Sequence, residues 1–554
     1  MNVRESLHVK LAEALRAAGV EETVVHVEHP ADFSHGDYAT GAALQYAKHV
    51  GLTPRGLAER IVAAIADVPG VASIEIAGPG FINFRLSGDA LAESVVAARE
   101  SDMWGSIDTY GGKKVMVEYT DPNPFKEFHI GHLMSNAIGE SLSRLFQFSG
   151  AEVRRANYQG DVGPHVAKAI WGIKRLSLDP GSAASLGMAY AAGAKAYEED
   201  AVAKEEIEAI NKAVYEHTDA EIDDIYNKGR EASLKHFEEL YEMLGTKFDH
   251  YFFESETAIR GVALVRSRPD IFVESDGATV YKGEDEGLHT RVFLTSKGLP
   301  TYETKDLGLA QMKAEVWDAD MLVTVTANEQ KDYFKVMLAA MHKVLPDVAA
   351  KVVHVTHGMM RFAEGKMSSR TGNVVTGESL LNELIEVAKV RAQESRAESP
   401  ERLARDVAVA AIKYQILKQG SGKDIIFDRE RALSVDGDSG PYVQYAHART
   451  HQIVEKALVS NVVPYFDAVA PTHDIARLLH RFPEIVEYAT EQKEPHIVTS
   501  YLIELAAAFN SWYAQEQILD GTPAAAHKVA LTDAVRRTLK NGLWILGMPA
   551  PEKM

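Results

Sequence analysis

Cysteine is absent from the chain. That excludes a disulfide scaffold, a zinc-thiolate site, an iron–sulfur cluster and a thiol nucleophile. Long apolar runs are absent too: nothing approaches the roughly 20 residues that span a bilayer. The first segment, Met1–Val20, reads as an ordinary amphipathic helix without the apolar block and cleavage site of a secretory signal. A cytoplasmic protein is therefore expected. Positive charge is in the minority, with 59 basic against 79 acidic residues and a net charge of −20. A general polyanion binder is thereby disfavoured, and any nucleic-acid partner needs a local basic footprint. There is no internal repeat and no low-complexity tract.

What is present is ordinary globular material, with 46% hydrophobic and 25% charged residues. At roughly 150 residues per domain, 554 residues make about three to four domains. Residues 1–104 read as a small α+β module. It has a helix over 5–18, a strand Val24–Val27, a polar turn Ala31–Asp37 and helices near 38–49 and 54–66. Strands follow over 72–77 and 81–86, on either side of Gly78-Pro79-Gly80. A strand at Val115–Tyr119, a Pro/Asn-rich loop, a helix over 131–148 and a strand at Glu152–Tyr158 repeat the rhythm of a parallel α/β sheet. Residues 201–245 are helical and carry 12 acidic against 5 basic residues, which reads as a solvated helical insertion. The strand pattern returns at Thr279–Tyr281, Arg291–Leu294, Met321–Val325 and Val352–Thr356. From about Ser379 the periodicity is helical to the end.

Two segments carry chemistry. His129-Ile130-Gly131-His132 lies between a strand end and a helix start. Two imidazoles at i and i+3 share one side of the first helical turn, where unpaired N–H groups and the helix dipole favour an anion. Gly131 lets a base or phosphate approach the backbone. The same two histidines would also serve as helix caps or surface residues. The second segment is Lys366-Met367-Ser368-Ser369-Arg370-Thr371-Gly372-Asn373, after the strand at 352–356. Its cations and hydroxyls would close over a polyphosphate, or form a basic surface turn.

Together and in this order, the two segments resemble the signatures of class I aminoacyl-tRNA synthetases. Glu118-Tyr119-Thr120-Asp121-Pro122-Asn123 with Lys126, and Gly160-Asp161-Val162-Gly163, are similar to the arginyl-tRNA synthetase form. So are Tyr302-Glu303-Thr304-Lys305-Asp306, the run from Phe427-Asp428 through Gly440–Arg449, and the ending Ala550–Met554. Gly36–Thr40 and Gly78–Gly80 fit as well, so the resemblance spans nearly the whole chain. Three positions depart from it. Ser369 stands where the loop usually has a second lysine, Val162 where tryptophan is frequent, and Asp121 where serine is frequent.

The resemblance implies a Rossmann-like catalytic domain over 105–385 with a helical insertion at about 175–250, flanked by the N-terminal module and an all-α anticodon-binding domain over 386–554. It implies ATP-dependent activation of arginine and transfer to tRNA(Arg) by a monomer, with magnesium arriving on the nucleotide and no metal ligands assigned in the protein. His129 and His132 would donate to the phosphate charge, and Gly131, Met367, Ser368, Ser369 and Arg370 would complete the ATP site. Lys366 would hold the β- and γ-phosphates, while Lys126 or Arg370 would replace the missing lysine. Asp306 first, then Glu254, would pair with the guanidinium, with Tyr302 stacked on it. Asn123, Asp121 and Gln330 would hold the α-amino and carboxylate end, and Glu118 and His132 would complete that pocket. Tyr445, Arg449 and Tyr513, with Trp512 beside it, would meet anticodon bases, and Phe81 and Asn83 the tRNA elbow. The family typically needs bound tRNA before it activates arginine. Other readings stay open on residues alone: a synthetase of the same class for another amino acid, a non-catalytic relative, or a small nucleotidyltransferase.

Overall fold

A computed structural model of the chain describes residues 3–21, 24–65, 67–363, 375–395, 397–470 and 473–554. Two compact units result. One comprises Met1–Gly105, Arg449–Glu484 and Glu504–Asn541; the other comprises Ser106–Ala448, Ile485–Ile503 and Gly542–Met554.

The first unit opens with α1 (Val3–Ala17), which buries Leu7, Leu11, Ala14 and Leu15 at helical spacing. β1 (Tyr38–Thr40), α2 (Ala42–Tyr46), α3 (Pro54–Ala64), β2 (Val71–Ala77), β3 (Phe81–Leu86) and α4 (Gly88–Glu100) follow. The strands form an antiparallel sheet in the order β1-β3-β2. Two expectations are corrected here. Val24–Val27 is not a strand, because Val24 bonds to the Tyr46 side chain and only Glu28 bridges to Ala39. The stretch from 38 begins as a strand because Tyr38, Ala39 and Thr40 pair with Phe84, Asn83 and Ile82.

The second unit is built on a five-stranded parallel sheet. β4 (Lys114–Glu118), α5 (Ile130–Phe148), β5 (Glu152–Gln159), α6 (Pro164–Leu176), α7 (Ala183–Glu199), α8 (Ala201–Glu216), α9 (Ala220–Leu244) and β6 (His250–Phe253) come first. Next are α10 (Glu254–Ser267), β7 (Phe272–Ser275), β8 (Ala278–Tyr281), β9 (Arg291–Leu294), α11 (Tyr302–Val316), β10 (Met321–Ala327), α12 (Lys331–Val344), α13 (Pro346–Ala349) and β11 (Val352–His357). The parallel sheet runs β11-β10-β4-β5-β6, so the chain departs in opposite directions from β4. The crevice beyond the carboxyl ends of β4 and β10 is the ligand position such topology favours. β7, β8 and β9 form a separate antiparallel sheet, so Thr279–Tyr281 and Arg291–Leu294 are strands that lie outside the parallel one.

α5 is the central helix and is apolar nearly all round. It buries Leu133, Met134, Ile138, Leu142, Leu145 and Phe146, each worth about 1.5–3 kcal/mol. Gly139 is needed for its packing: a Cβ there would stand 2.1 Å from the Tyr119 ring. The insertion is less solvated than its charge implies. Ile207, Ile210, Val214, Ile222 and Ile225 join Val166, Ile170 and Ile173 in a core of their own.

β12 (Met360–Phe362), α14 (Gly377–Ala392), α15 (Pro400–Leu417), β13 (Ile425–Phe427) and α16 (Arg429–Ala432) follow. β13 pairs with β12 in parallel, interrupting the helical run expected after Ser379. The chain ends in α17 (Gly440–Val459), α18 (Asp474–Gln492), α19 (His496–Gln515) and α20 (Ala524–Ile545). Among the described residues, no helix is long and apolar enough to cross a membrane.

Candidate active site

A cleft of about 490 Å³ opens at the carboxyl ends of β4 and β10. Its lining contains Glu118, Asp121, Asn123, His129, Gly131, His132, Glu254, Tyr302, Asp306 and Gln330. These residues come from five separated stretches of sequence. Lys366, Met367, Ser368, Ser369 and Arg370 lie outside the described residues.

The two histidines do cap α5, and the capping sets their chemistry. His129 is the N-cap; its Nδ1 accepts from the His132 backbone N–H at 3.3 Å. His132 Nδ1 accepts from the His129 backbone N–H at 3.2 Å. Both Nδ1 atoms are therefore acceptors, which puts each ring proton on Nε2. The rings stack with centroids 3.4 Å apart. Burial, then Lys126, holds the His129 imidazole below its ordinary range. Burial, then His129 and Lys126, holds His132 further below. The result is a pair of neutral donors at a helix N-terminus, suited to charge that develops on a phosphate.

The loop between β4 and α5 is bent by unusual backbone: Thr120, Asp121 and Phe125 have φ of 79°, 45° and 66°. Such strain persists only where surrounding contacts over-determine it. Thr120 N–H donates to Ser135 Oγ, Asp121 Oδ1 accepts from the Tyr158 N–H at 2.7 Å, and Phe125 N–H donates to Ser233 Oγ. Burial, then Glu118, pushes the Asp121 carboxyl well above its usual value.

The opposite wall is acidic, with lysines set into it. Glu254 starts α10, and its Oε2 takes the Lys305 ammonium at 2.5 Å; both side chains are buried. Asp161 fastens the start of that helix. Its carboxylate accepts from the Ser255 N–H (2.9 Å), Ser255 Oγ (2.8 Å) and Arg230 Nε (2.9 Å), tying α10 to α9. Glu118 pairs with Lys313, and Asp306 accepts from the Tyr333 hydroxyl. Burial lifts the Asp306 carboxyl to about 7, against the opposing Tyr333 hydrogen bond. Tyr302 is 67% exposed at the mouth. Gly160 is required by close approach: a Cβ there would lie 2.2 Å from Asn123 Oδ1 and 3.2 Å from Glu254 Oε1.

Sequence reasoning missed Lys305, Lys313, Tyr333 and Tyr158 in this wall. Lys305 sat inside a quoted motif, and Lys313 follows Asp306 by two helical turns on one face of α11. Nothing in the sequence pointed to Tyr333 or Tyr158. Lys126 lies 5.1 Å from the Tyr190 ring.

The residues expected to meet RNA are dispersed. Phe81 is exposed, whereas Asn83 is buried in the small sheet, so only Phe81 is presented to a partner. Arg449 donates to Asn510 Oδ1 at 2.6 Å and lies 5.0 Å from the Tyr513 ring, which is exposed. Trp512 is corrected to a core residue; it is buried against Phe509 and His473. Tyr445, in the second unit, lines an apolar cavity of about 220 Å³ with Leu403, Leu433 and Met554.

Three family models match the chain. "tRNA synthetases class I (R), catalytic domain" covers residues 95–429. "Arginyl tRNA synthetase N terminal domain" covers 4–86, and "DALR anticodon binding domain" covers 443–554. The chain is 31% identical to the arginine–tRNA ligase of Clostridium botulinum, over 95% of this chain and 96% of that protein. It is also 31% identical to that of Clostridioides difficile, over 98% of each. The solved Thermus thermophilus arginyl-tRNA synthetase superposes with a TM-score of 0.83 at 26% identity, covering 100% of both chains. The Plasmodium falciparum arginyl-tRNA synthetase shares the fold, with a TM-score of 0.78 at 22% identity and 99% coverage of both.

Proposed function

Because the chain belongs to the arginyl-tRNA synthetase family of class I enzymes, we propose that it ligates L-arginine to tRNA(Arg) with ATP. The observation that carries this reading is the cleft in which a histidine-capped helix faces Asp306 and Glu254. The arginine carboxylate attacks the α-phosphorus of ATP, giving arginyl-adenylate and pyrophosphate. A terminal ribose hydroxyl of tRNA then takes the arginyl group, releasing AMP. His129 and His132 donate from Nε2 to the phosphate oxygens as charge builds, and Gly131 admits the nucleotide. Lys366 holds the β- and γ-phosphates, and Met367, Ser368, Ser369 and Arg370 complete the ATP site. Lys126, which acts electrostatically on both histidines, supplies the second cation that Ser369 lacks, with Arg370 as the alternative.

Asp306 and Glu254 hold the guanidinium from two sides, and Tyr302 covers it. Asn123, Asp121, Glu118 and Gln330 hold the amino-acid end. Magnesium comes with the triphosphate. Residues 1–104 and Phe81 touch the tRNA elbow. Residues 105–385 carry out the chemistry, and 386–554 read the anticodon through Tyr445, Arg449 and Tyr513. The protein acts as a cytoplasmic monomer.

The test is charging of total tRNA by purified protein, with each amino acid in turn, with and without ATP. Arginine-dependent and ATP-dependent charging is expected. Charging with a different amino acid, or none with arginine, refutes the reading.

A further inference from the structure

The acidic wall of the cleft has a charge balance that the reaction alone does not explain. Four carboxylates face it, those of Glu118, Asp121, Glu254 and Asp306. Two ammonium groups are set among them. Lys313 pairs with Glu118, and Lys305 pairs with Glu254 at 2.5 Å, with each of these four side chains no more than 8% exposed. Lys305 therefore occupies one oxygen of the carboxylate expected to meet the substrate. Its Nζ also lies 5.4 Å from the ring centroid of Tyr302, the aromatic at the cleft mouth.

The acidic insertion reaches this point. Tyr215, at the end of α8, is half-buried and lies within electrostatic reach of Lys305, Glu254 and Tyr302. The neighbouring helix α9 anchors the same wall through Arg230 and Asp161. The insertion thus packs behind the pocket wall and is more than a solvated excursion.

Resting on the function proposed above, we propose that Lys305 is a specificity-determining residue: a built-in counter-cation, held by Glu254, that leaves room for one planar guanidinium and refuses a substrate ammonium. With Oε2 of Glu254 taken, the incoming cation has Oε1, which faces Gly160, and the Asp306 carboxylate. A guanidinium spreads its charge over a planar fork and can donate to two separated carboxylates at once. An ammonium concentrates its charge at one point and would compete with Lys305 for the same carboxylate. Two point charges cannot share it without repulsion, because burial keeps water from screening them. Removing Lys305 leaves a buried carboxylate without its cation, and a substrate ammonium can then take that place.

The experiment compares wild type with Lys305→Met in charging total tRNA, reading kcat/KM for arginine over that for lysine. The ratio is expected to fall about tenfold or more, as expected when a buried polar partner is removed. In Lys305→Ala, which opens the space of the side chain, methylammonium chloride should restore it, where sodium chloride at equal ionic strength does not. An unchanged ratio overturns the assignment, as does a loss confined to kcat. Tyr215→Phe should move the ratio in the same direction by a smaller factor. If Lys305→Met does not fold, Tyr215→Phe decides, and an unchanged ratio there also overturns the role. Wild-type protein that charges a different amino acid refutes the proposed function and this inference together. Wild-type arginine charging with an unchanged ratio in the variants refutes only Lys305.

Discussion

The pH dependence of arginine recognition should be set by Asp306. Burial lifts this carboxyl from its usual 3.8 to about 7 in the empty cleft, while Tyr333, Lys313, Glu118 and Glu254 surround it. The sign follows from linkage. A carboxyl with a raised folded-state value keeps its proton in the folded chain, so its contribution to stability is lost as pH rises from about 4 towards 7. Guanidinium binding has the opposite preference, because it needs the anion. With a midpoint near 7, about one tenth of the protein is ionised there at pH 6, half at pH 7 and nine tenths at pH 8. Apparent affinity scales with the competent fraction, so the arginine KM should fall about ninefold between pH 6 and 8. The guanidinium itself does not titrate in this window. Burial holds the two histidines below their usual range. The assay is the arginine KM in tRNA charging at saturating ATP, with equilibrium arginine binding as a check. Asp306→Asn should bind more weakly and show no such limb. A flat KM across this range in the wild type, or an unchanged slope in Asp306→Asn, would refute the reasoning.

Three further outcomes are expected. His132→Ala removes one Nε2 donor, so the activation rate should drop by about 10²–10³, corresponding to about 2.7–4 kcal/mol. The lost hydrogen bond from the His129 N–H to His132 Nδ1 should lower stability by about 0.5–1.5 kcal/mol in a denaturant titration, and a rate within tenfold of wild type contradicts the donor role. Gly160→Ala places a Cβ 2.2 Å from Asn123 Oδ1; the arginine KM should rise while the melting temperature stays near wild type, and an unaltered KM shows that Asn123 does not hold substrate. Lys126→Ala should slow activation with little effect on the arginine KM, and an undiminished rate removes Lys126 as the replacement cation.

Elements with strong periodicity were legible from the sequence because local physics specifies them. α5 is preceded by a strand end and closed by Ser149 and Gly150, and β2 and β3 flank a glycine-rich turn. Short elements were less legible. Val24–Val27 has strand composition, yet the Tyr46 side chain takes its hydrogen bonds. β13 is only Ile425–Phe427 and exists through pairing with β12. A strand needs a partner that its own residues do not name.

The sequence by itself determined the chemical inventory. A histidine pair at helix-start spacing with Gly131 between them follows from residue type and local order, and the acids suited to a guanidinium follow from the family resemblance. Tertiary structure decided which charges remain available. Glu254 and Lys305 are 51 residues apart, and Asp306 and Tyr333 are 27 apart. Tyr119, Glu140 and Arg155 meet because β4, α5 and β5 pack together. There burial would raise the Glu140 carboxyl, but Arg144 and Arg155 outweigh it and bring it down to about 2. Ionisation and pairing depend on distance and dielectric, and neither is a property of a position along the chain.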